Sequence, residues 1–191
     1  MKNKNGFSLI EILAVIIIIG IVMIIAVPAV SKYILKSDKA VYASNVQAYL
    51  ETIRGKYEMK EYGALLKDNE IMIVPIEHVI LEKGDSKSTP YGDYDFKRSY
   101  ILIVPENKGY NYYATVIDTA KAGLLGVPAN KIGEDAIREG ITDDIPILDT
   151  YKLPNTTYTY AGKTYKRSDV RNIEGEDVNS GFSVFVFKET N

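Results

Sequence analysis

From Ile12 to Ser31 the chain runs for 20 residues without a charged side chain. A helix rises about 1.5 Å per residue, so such a run covers roughly 30 Å, the hydrocarbon thickness of a bilayer. One membrane-spanning helix near the N-terminus is therefore the expectation. A carboxylate, Glu11, stands immediately before the run, in the segment NKNGFSLIEILAVIIIIGIVMIIAVPAV. An acid at the centre of a membrane helix costs roughly 3 kcal/mol, and less toward its end. Any aliphatic residue removes that cost, so Glu11 needs an account of its own.

The rest of the chain is differently composed. All but two of the 23 Lys and Arg, and all but one of the 25 Asp and Glu, lie beyond Ser31. That remainder is nearly neutral, which argues against a nucleic-acid-binding domain held by broad electrostatics. Cys is absent, so no disulfide framework and no thiolate metal site is available, and the domain relies on its own core. Positive charge leaves orientation open: Lys2 and Lys4 flank one side of the apolar run, and Lys32, Lys36 and Lys39, with Asp38, flank the other.

Three readings of the N-terminal segment compete. A cleaved secretory signal, cut near Ala29 or Ser31, suits the lysines, but such signals carry roughly 7–15 apolar residues and do not open with an acid. A plain signal anchor explains the length of the run and leaves Glu11 incidental. The third reading uses every residue: a short Lys-bearing leader ending in Gly6, then Phe7, Ser8, Leu9, Ile10 and Glu11, then the apolar run with Gly20 and Pro28 inside it. This pattern resembles the class III signal of type IV prepilins and pseudopilins. The likeness covers about the first 30 residues.

The resemblance implies a membrane peptidase that cuts between Gly6 and Phe7 and methylates the new amino group. Residues 1–6 are then a leader, 7–62 a long helix with about 9–31 in the membrane or filament core, and 63–191 a head. Gly6 suits a scissile bond because it offers no side chain against close backbone approach. Glu11 falls at the fifth position after the cut, one turn beyond Phe7 and on the same helix face. By resemblance, Glu11 of an incoming subunit neutralises the Phe7 ammonium of the last subunit assembled. Gly20 and Pro28 weaken the helix; a kink is the plain reading, and the family reading lets the segment between them unwind in the filament. Further implied partners are the peptidase/N-methyltransferase, copies of the chain and other pilins, an assembly platform with its ATPase, and the bilayer before assembly. The head is expected outside the cytoplasm, first on a single-pass anchor and then on a surface filament.

Beyond the membrane, Ala43, Val46, Leu50, Ile53 and Tyr57 recur at spacings of three and four, an amphipathic stripe for holding a head. Gly63 is a reasonable stop, giving one helix from Phe7 to about Tyr62 and roughly 80 Å in length. Ile76–Glu82 reads as a short helix after Pro75, and GDSKSTPYGDYD (residues 84–95) as a loop. Ser99–Val104 and Tyr110–Asp118, joined by PENKG, read as a hairpin, as do Thr157–Tyr160 and Lys163–Arg167 around Ala161-Gly162. Residues 119–150 resist assignment, with a helical turn expected within Asn130–Glu139. Phe182–Lys188 alternates as a final strand with one buried face. The expected class is α+β, a long helix packed on an antiparallel sheet, pilin-like by resemblance.

Catalytic signals are weak. The single His, His78, sits beside Val79, Ile80 and Leu81 and suits a structural role better than a triad. GLLG at residues 123–126 lacks the Lys and Ser/Thr of a phosphate-binding loop. The turn EGEDVNSG offers Glu174, Glu176, Asp177, Asn179 and Ser180 as oxygen ligands for calcium, without the helix-loop-helix spacing; a solvated acidic turn is the plainer reading. Asn155-Thr156-Thr157 matches a glycosylation triplet and is uninformative in the bacterial context the resemblance implies. No cofactor and no enzymatic activity are expected. The leading expectation is a pilus subunit; the alternatives are a pseudopilin of a type II secretion or DNA-uptake apparatus and, of another class, a monomeric membrane-anchored extracytoplasmic binding domain.

Overall fold

A computed structural model describes residues 8–77, 79–81, 84, 87–107, 109–145, 157–173 and 182–190. The chain divides into two compact units, Met1–Asp38 and Lys39–Asn191. Helix α1, Leu9–Glu58, supplies most of the first and the opening element of the second. Within the second unit the expected stripe is in place: Ala43, Val46, Leu50, Ile53 and Tyr57 are all buried, and Tyr42 and Tyr49 widen the buried face. The tyrosines lock their neighbours edge-on, Tyr49 against Tyr94 at 5.7 Å and 88°, and Tyr57 against Tyr110 at 4.9 Å and 80°. Such contacts add roughly 0.5–1.5 kcal/mol each beyond burial.

The helix ends four residues before the expected Tyr62, and Gly63 does not end it. Glu61 N–H donates to the Lys56 carbonyl at 3.0 Å and Lys60 N–H to the Tyr57 carbonyl at 3.0 Å. Those two bonds form a Schellman motif with Lys60 in the left-handed region at φ 62°. The following loop is tied down from two sides. Leu66 N–H donates to the Tyr57 hydroxyl at 2.9 Å, and the Arg171 guanidinium donates to the carbonyls of Tyr62 at 2.9 Å and Ala64 at 2.6 Å.

The other strands are β1 (Glu70–Pro75), β2 (Ser88–Thr89), β3 (Gly92–Asp93), β4 (Tyr100–Glu106), β5 (Gly109–Ile117), β6 (Gly123–Pro128), β7 (Thr157–Tyr160), β8 (Lys163–Ile173) and β9 (Phe182–Glu189). Seven make one antiparallel sheet in the order β6-β5-β4-β1-β9-β8-β7, and β2 pairs with β3 inside the expected loop. Both expected hairpins form, and short 3₁₀ turns at Ala129–Lys131 and Glu134–Ala136 meet the expected helical turn. The helix expected at Ile76–Glu82 does not form over its described residues. Pro75 closes strand β1 opposite Tyr100, and Ile76 N–H donates to the Ser99 carbonyl at 3.2 Å, so the chain here extends the sheet.

Strand β1 is central, and its side chains are buried on both faces. Met72 and Val74, with Ile101, Ile103, Val116, Leu124, Val184 and Val186 from neighbouring strands, belong to the core that includes the α1 stripe. Ile71 and Ile73 point the other way and join Tyr100, Leu102, Val104, Tyr165, Phe185 and Phe187 in a second core. That face is covered because the sheet rolls over itself. The Tyr158 hydroxyl on β7 lies 3.1 Å from that of Tyr100 on β4, and the Tyr160 ring lies 5.4 Å from that of Tyr113 on β5. Register shifts between Arg167 and Asp169 and between Ala114 and Val116 supply the local bend that bulges give a strand. The single buried face expected for the final strand is therefore corrected: four successive residues, Val184 to Phe187, are buried.

One tight junction closes the β5–β6 turn. Asp118, 2% exposed, accepts from Ala122 N–H at 2.9 Å and from the Thr89 hydroxyl at 2.9 Å. The Tyr42 hydroxyl, with one proton to donate, lies between two acceptors, the Ala122 carbonyl at 3.1 Å and the Val116 carbonyl at 3.3 Å. Gly123, at φ 157°, is required: a Cβ there would sit 2.0 Å from the Val116 carbonyl oxygen.

Candidate functional site

The site begins at the first turn of α1. Ser8 precedes the helix and its carbonyl accepts from Ile12 N–H at 3.3 Å, which makes it the N-cap. Glu11 N–H donates to the Ser8 Oγ at 3.2 Å, and Ser8 N–H donates to the Glu11 Oε2 at 2.8 Å. Two of the unsatisfied donors at the helix start are thus bonded reciprocally, as a capping box. The arrangement follows from the sequence Ser-Leu-Ile-Glu ahead of an apolar run, a signature that was available in the residues and that assigns Ser8 a role the sequence reading left empty. It also turns the carboxylate back toward the residues preceding the helix. A negative charge in that first turn complements the positive end of the helix dipole.

Every residue from Ser8 to Ser37 is exposed, although most are aliphatic. Among the described residues, α1 is the one helix long and apolar enough to cross a membrane. Tyr33, 78% exposed, and Lys32 follow the apolar run, where amphipathic side chains suit a membrane–water boundary. The helix continues through Gly20 and Pro28. Pro28 has no N–H for the carbonyl one turn before it, and the Ser31 hydroxyl donates to the adjacent Val27 carbonyl at 2.9 Å. A Cβ at Gly20 would meet nothing within 4 Å, so nothing among the described residues calls for glycine there.

Gly6 and Phe7 lie outside the described residues, as do His78, Asn155, Thr156 and the turn carrying Glu174, Glu176, Asp177, Asn179 and Ser180. Among the described residues no group of acids and histidines is arranged to hold a metal ion. The Gly-Leu-Leu-Gly stretch opens strand β6.

The second unit carries an open groove of about 780 Å³ beside α1, lined by Glu51, Arg54, Glu106, Tyr110, Tyr112 and Lys131 among others. The Arg54 guanidinium stands 5.0 Å from the Tyr112 ring centre and 3.2 Å from the Glu51 carboxylate. The two acids of the groove, Glu51 and Glu106, balance its two bases, Arg54 and Lys131, in formal charge.

No curated protein and no solved structure matches the chain. The family model described as the prokaryotic N-terminal methylation motif matches residues 1–27. Those residues carry the class III signal of type IV pilins and pseudopilins, here joined to a long apolar helix and an antiparallel sheet in a pilin-like α+β layout.

Proposed function

We propose that the chain is the precursor of a filament subunit, cut between Gly6 and Phe7, methylated on Phe7, and polymerised through the apolar part of α1 into a type IV pilus or a shorter pseudopilus. The observation that carries this reading is the position of Glu11: a carboxylate in the first turn of α1, at the head of a largely aliphatic stretch that is exposed at every residue from Ser8 to Ser37. Cleavage puts an α-ammonium at Phe7, and methylation leaves it positive. A unit pair at about 4 Å gains roughly 4 kcal/mol at an effective dielectric near 20, and an unpaired charge in hydrocarbon costs several. A pair between Glu11 of one subunit and the Phe7 ammonium of another therefore fixes register along the filament more than it adds net stability. The partners follow: a peptidase that also methylates, copies of the chain, and an ATP-driven platform that lifts subunits out of the bilayer.

Mass spectrometry of the mature chain is expected to find residues 1–6 removed and a methylated Phe7 at the N-terminus; an intact Met1 in the membrane fraction ends the proposal. Glu11→Val is expected to be processed normally yet absent from sheared filaments. The groove beside Tyr112 favours, as a second reading, a monomeric anchored binding domain. Under that reading Glu11→Val changes nothing and the chain never enters a filament fraction.

A further inference from the structure

The Glu11 carboxylate has two oxygens, and the fold treats them differently. Oε2 accepts Ser8 N–H at 2.8 Å, while Oε1 has no partner among the described residues. Ser8 Oγ in turn accepts Glu11 N–H at 3.2 Å, which fixes Ser8 as the N-cap and so presents its N–H to the carboxylate. Without the hydroxyl, Glu11 N–H keeps only its bond to the Ser8 carbonyl at 3.1 Å, the cap is weakened, and a long acidic side chain on an exposed helix surface regains rotamers. We propose that Ser8 is a positioning residue for assembly: it holds Glu11 by one carboxylate oxygen and leaves the other free for the α-ammonium of a neighbouring subunit. This inference rests on the filament reading above and assigns that joint a second member.

The physical need is clear. A carboxylate that must meet a cation in hydrocarbon gains by being oriented beforehand, because the ordering cost is then met within the subunit. The Ser8 N–H is the only amide donor given to the carboxylate among the described residues, and it survives cleavage, since the Phe7–Ser8 bond stays intact.

Ser8→Thr and Ser8→Val provide the test, because they match in shape and differ in the hydroxyl. Each is made in the full chain in cells that assemble the filament, beside Glu11→Gln and Glu11→Val. The readouts are the Phe7 N-terminus by mass spectrometry and the fraction of processed subunit in sheared filaments. Ser8→Thr is expected to assemble like the unaltered chain. Ser8→Val is expected to be processed yet to enter filaments at least about fivefold less well, the factor that loss of a cap corresponds to. Combining Ser8→Val with Glu11→Gln is expected to be no worse than Glu11→Gln alone, since both act through one carboxylate. Equal assembly of Thr and Val variants overturns the proposal, as does a Val variant that fails at cleavage, because its effect then lies with the peptidase. If instead Glu11→Val assembles normally, the charge pair itself falls and Ser8 with it.

Discussion

Raising the pH should unfold the second unit cooperatively between about pH 10 and 11.5, because its cores are built on neutral phenols. Tyr42 and Tyr62 are completely buried, Tyr57 is 1% exposed and Tyr112 is 4% exposed. Burial pushes the hydroxyl of Tyr112 up to about 12 and those of Tyr42, Tyr57 and Tyr62 higher still, with nearby Asp118 adding to the effect at Tyr42. The folded values lie above the unfolded value of about 10, so the stabilisation is complete below pH 10 and is lost as pH rises toward the folded values. At pH 11 each unfolded phenol has gained about 1.4 kcal/mol by ionising, and the four together about 5–6 kcal/mol, comparable with the whole stability of many domains. Tyrosinate absorbance and far-ultraviolet circular dichroism, followed together in detergent, make the check. The buried phenols are expected to ionise only as the sheet signal disappears. Tyr112→Phe is expected to move the midpoint up by about 0.3 pH unit while leaving neutral-pH stability within about 0.5 kcal/mol, because its hydroxyl has no hydrogen-bond partner among the described residues. Full tyrosine ionisation near pH 10 with an unchanged sheet signal would refute the reasoning.

Two substitutions probe the backbone. Gly123→Ala is expected to cost about 3 kcal/mol or more, since its Cβ would lie 2.0 Å from a backbone oxygen and neither strand can yield without opening the β5–β6 ladder. A urea midpoint within error of the unaltered chain would contradict that junction. Lys60→Gly is expected to stabilise by about 0.5–1 kcal/mol, because Lys60 holds the left-handed C′ position of α1 at φ 62° and makes no ion pair among the described residues. An unchanged or lower melting temperature counts against the Schellman assignment.

The elements legible in the residues share a property: their signal is local. The α1 stripe shows because one helix face is wet, and the hairpins show because their turns carry Asn107 and Gly109 where β4 meets β5 and Gly162 between β7 and β8. Strand β1 is hidden for the opposite reason. With Ile71 and Ile73 in one core and Met72 and Val74 in the other, its run is apolar throughout and gives no period. The same double burial makes the last strand look one-sided in sequence and two-sided in the fold. Strand β6 is masked by Gly123 and Gly126, residues that read as turn formers and serve here for close approach and a left-handed bend. The rolling of the sheet depends on contacts between strands far apart in sequence, such as Tyr100 with Tyr158, and no local pattern encodes it. At the N-terminus the types and spacing of Gly6, Phe7 and Glu11 carry the motif, whereas the bonds of Ser8 exist only once the helix starts at Leu9.

The division of burial also explains why charge has so much influence on assembly under the proposed function. The cores of the second unit draw on α1 from Tyr42 onward, and every residue from Ser8 to Ser37 is exposed. Moving that first stretch from lipid into a filament exchanges one apolar surrounding for another, so hydrophobic burial changes little and specificity has to come from elsewhere. Small residues such as Gly20, around which this chain leaves open space, let neighbouring helices approach closely but fix no unique register along a smooth aliphatic rod. One carboxylate per subunit does, because every misaligned arrangement strands a charge in hydrocarbon, and each stranded charge costs several kcal/mol. The head can stay unchanged through the transfer: without Cys it is held by its buried cores and by bonds such as those of Asp118 and Arg171, none of which involves the membrane stretch. Replacing Glu11 should therefore abolish assembly while leaving the alkaline unfolding of the head where it was, and replacing a core tyrosine should do the reverse.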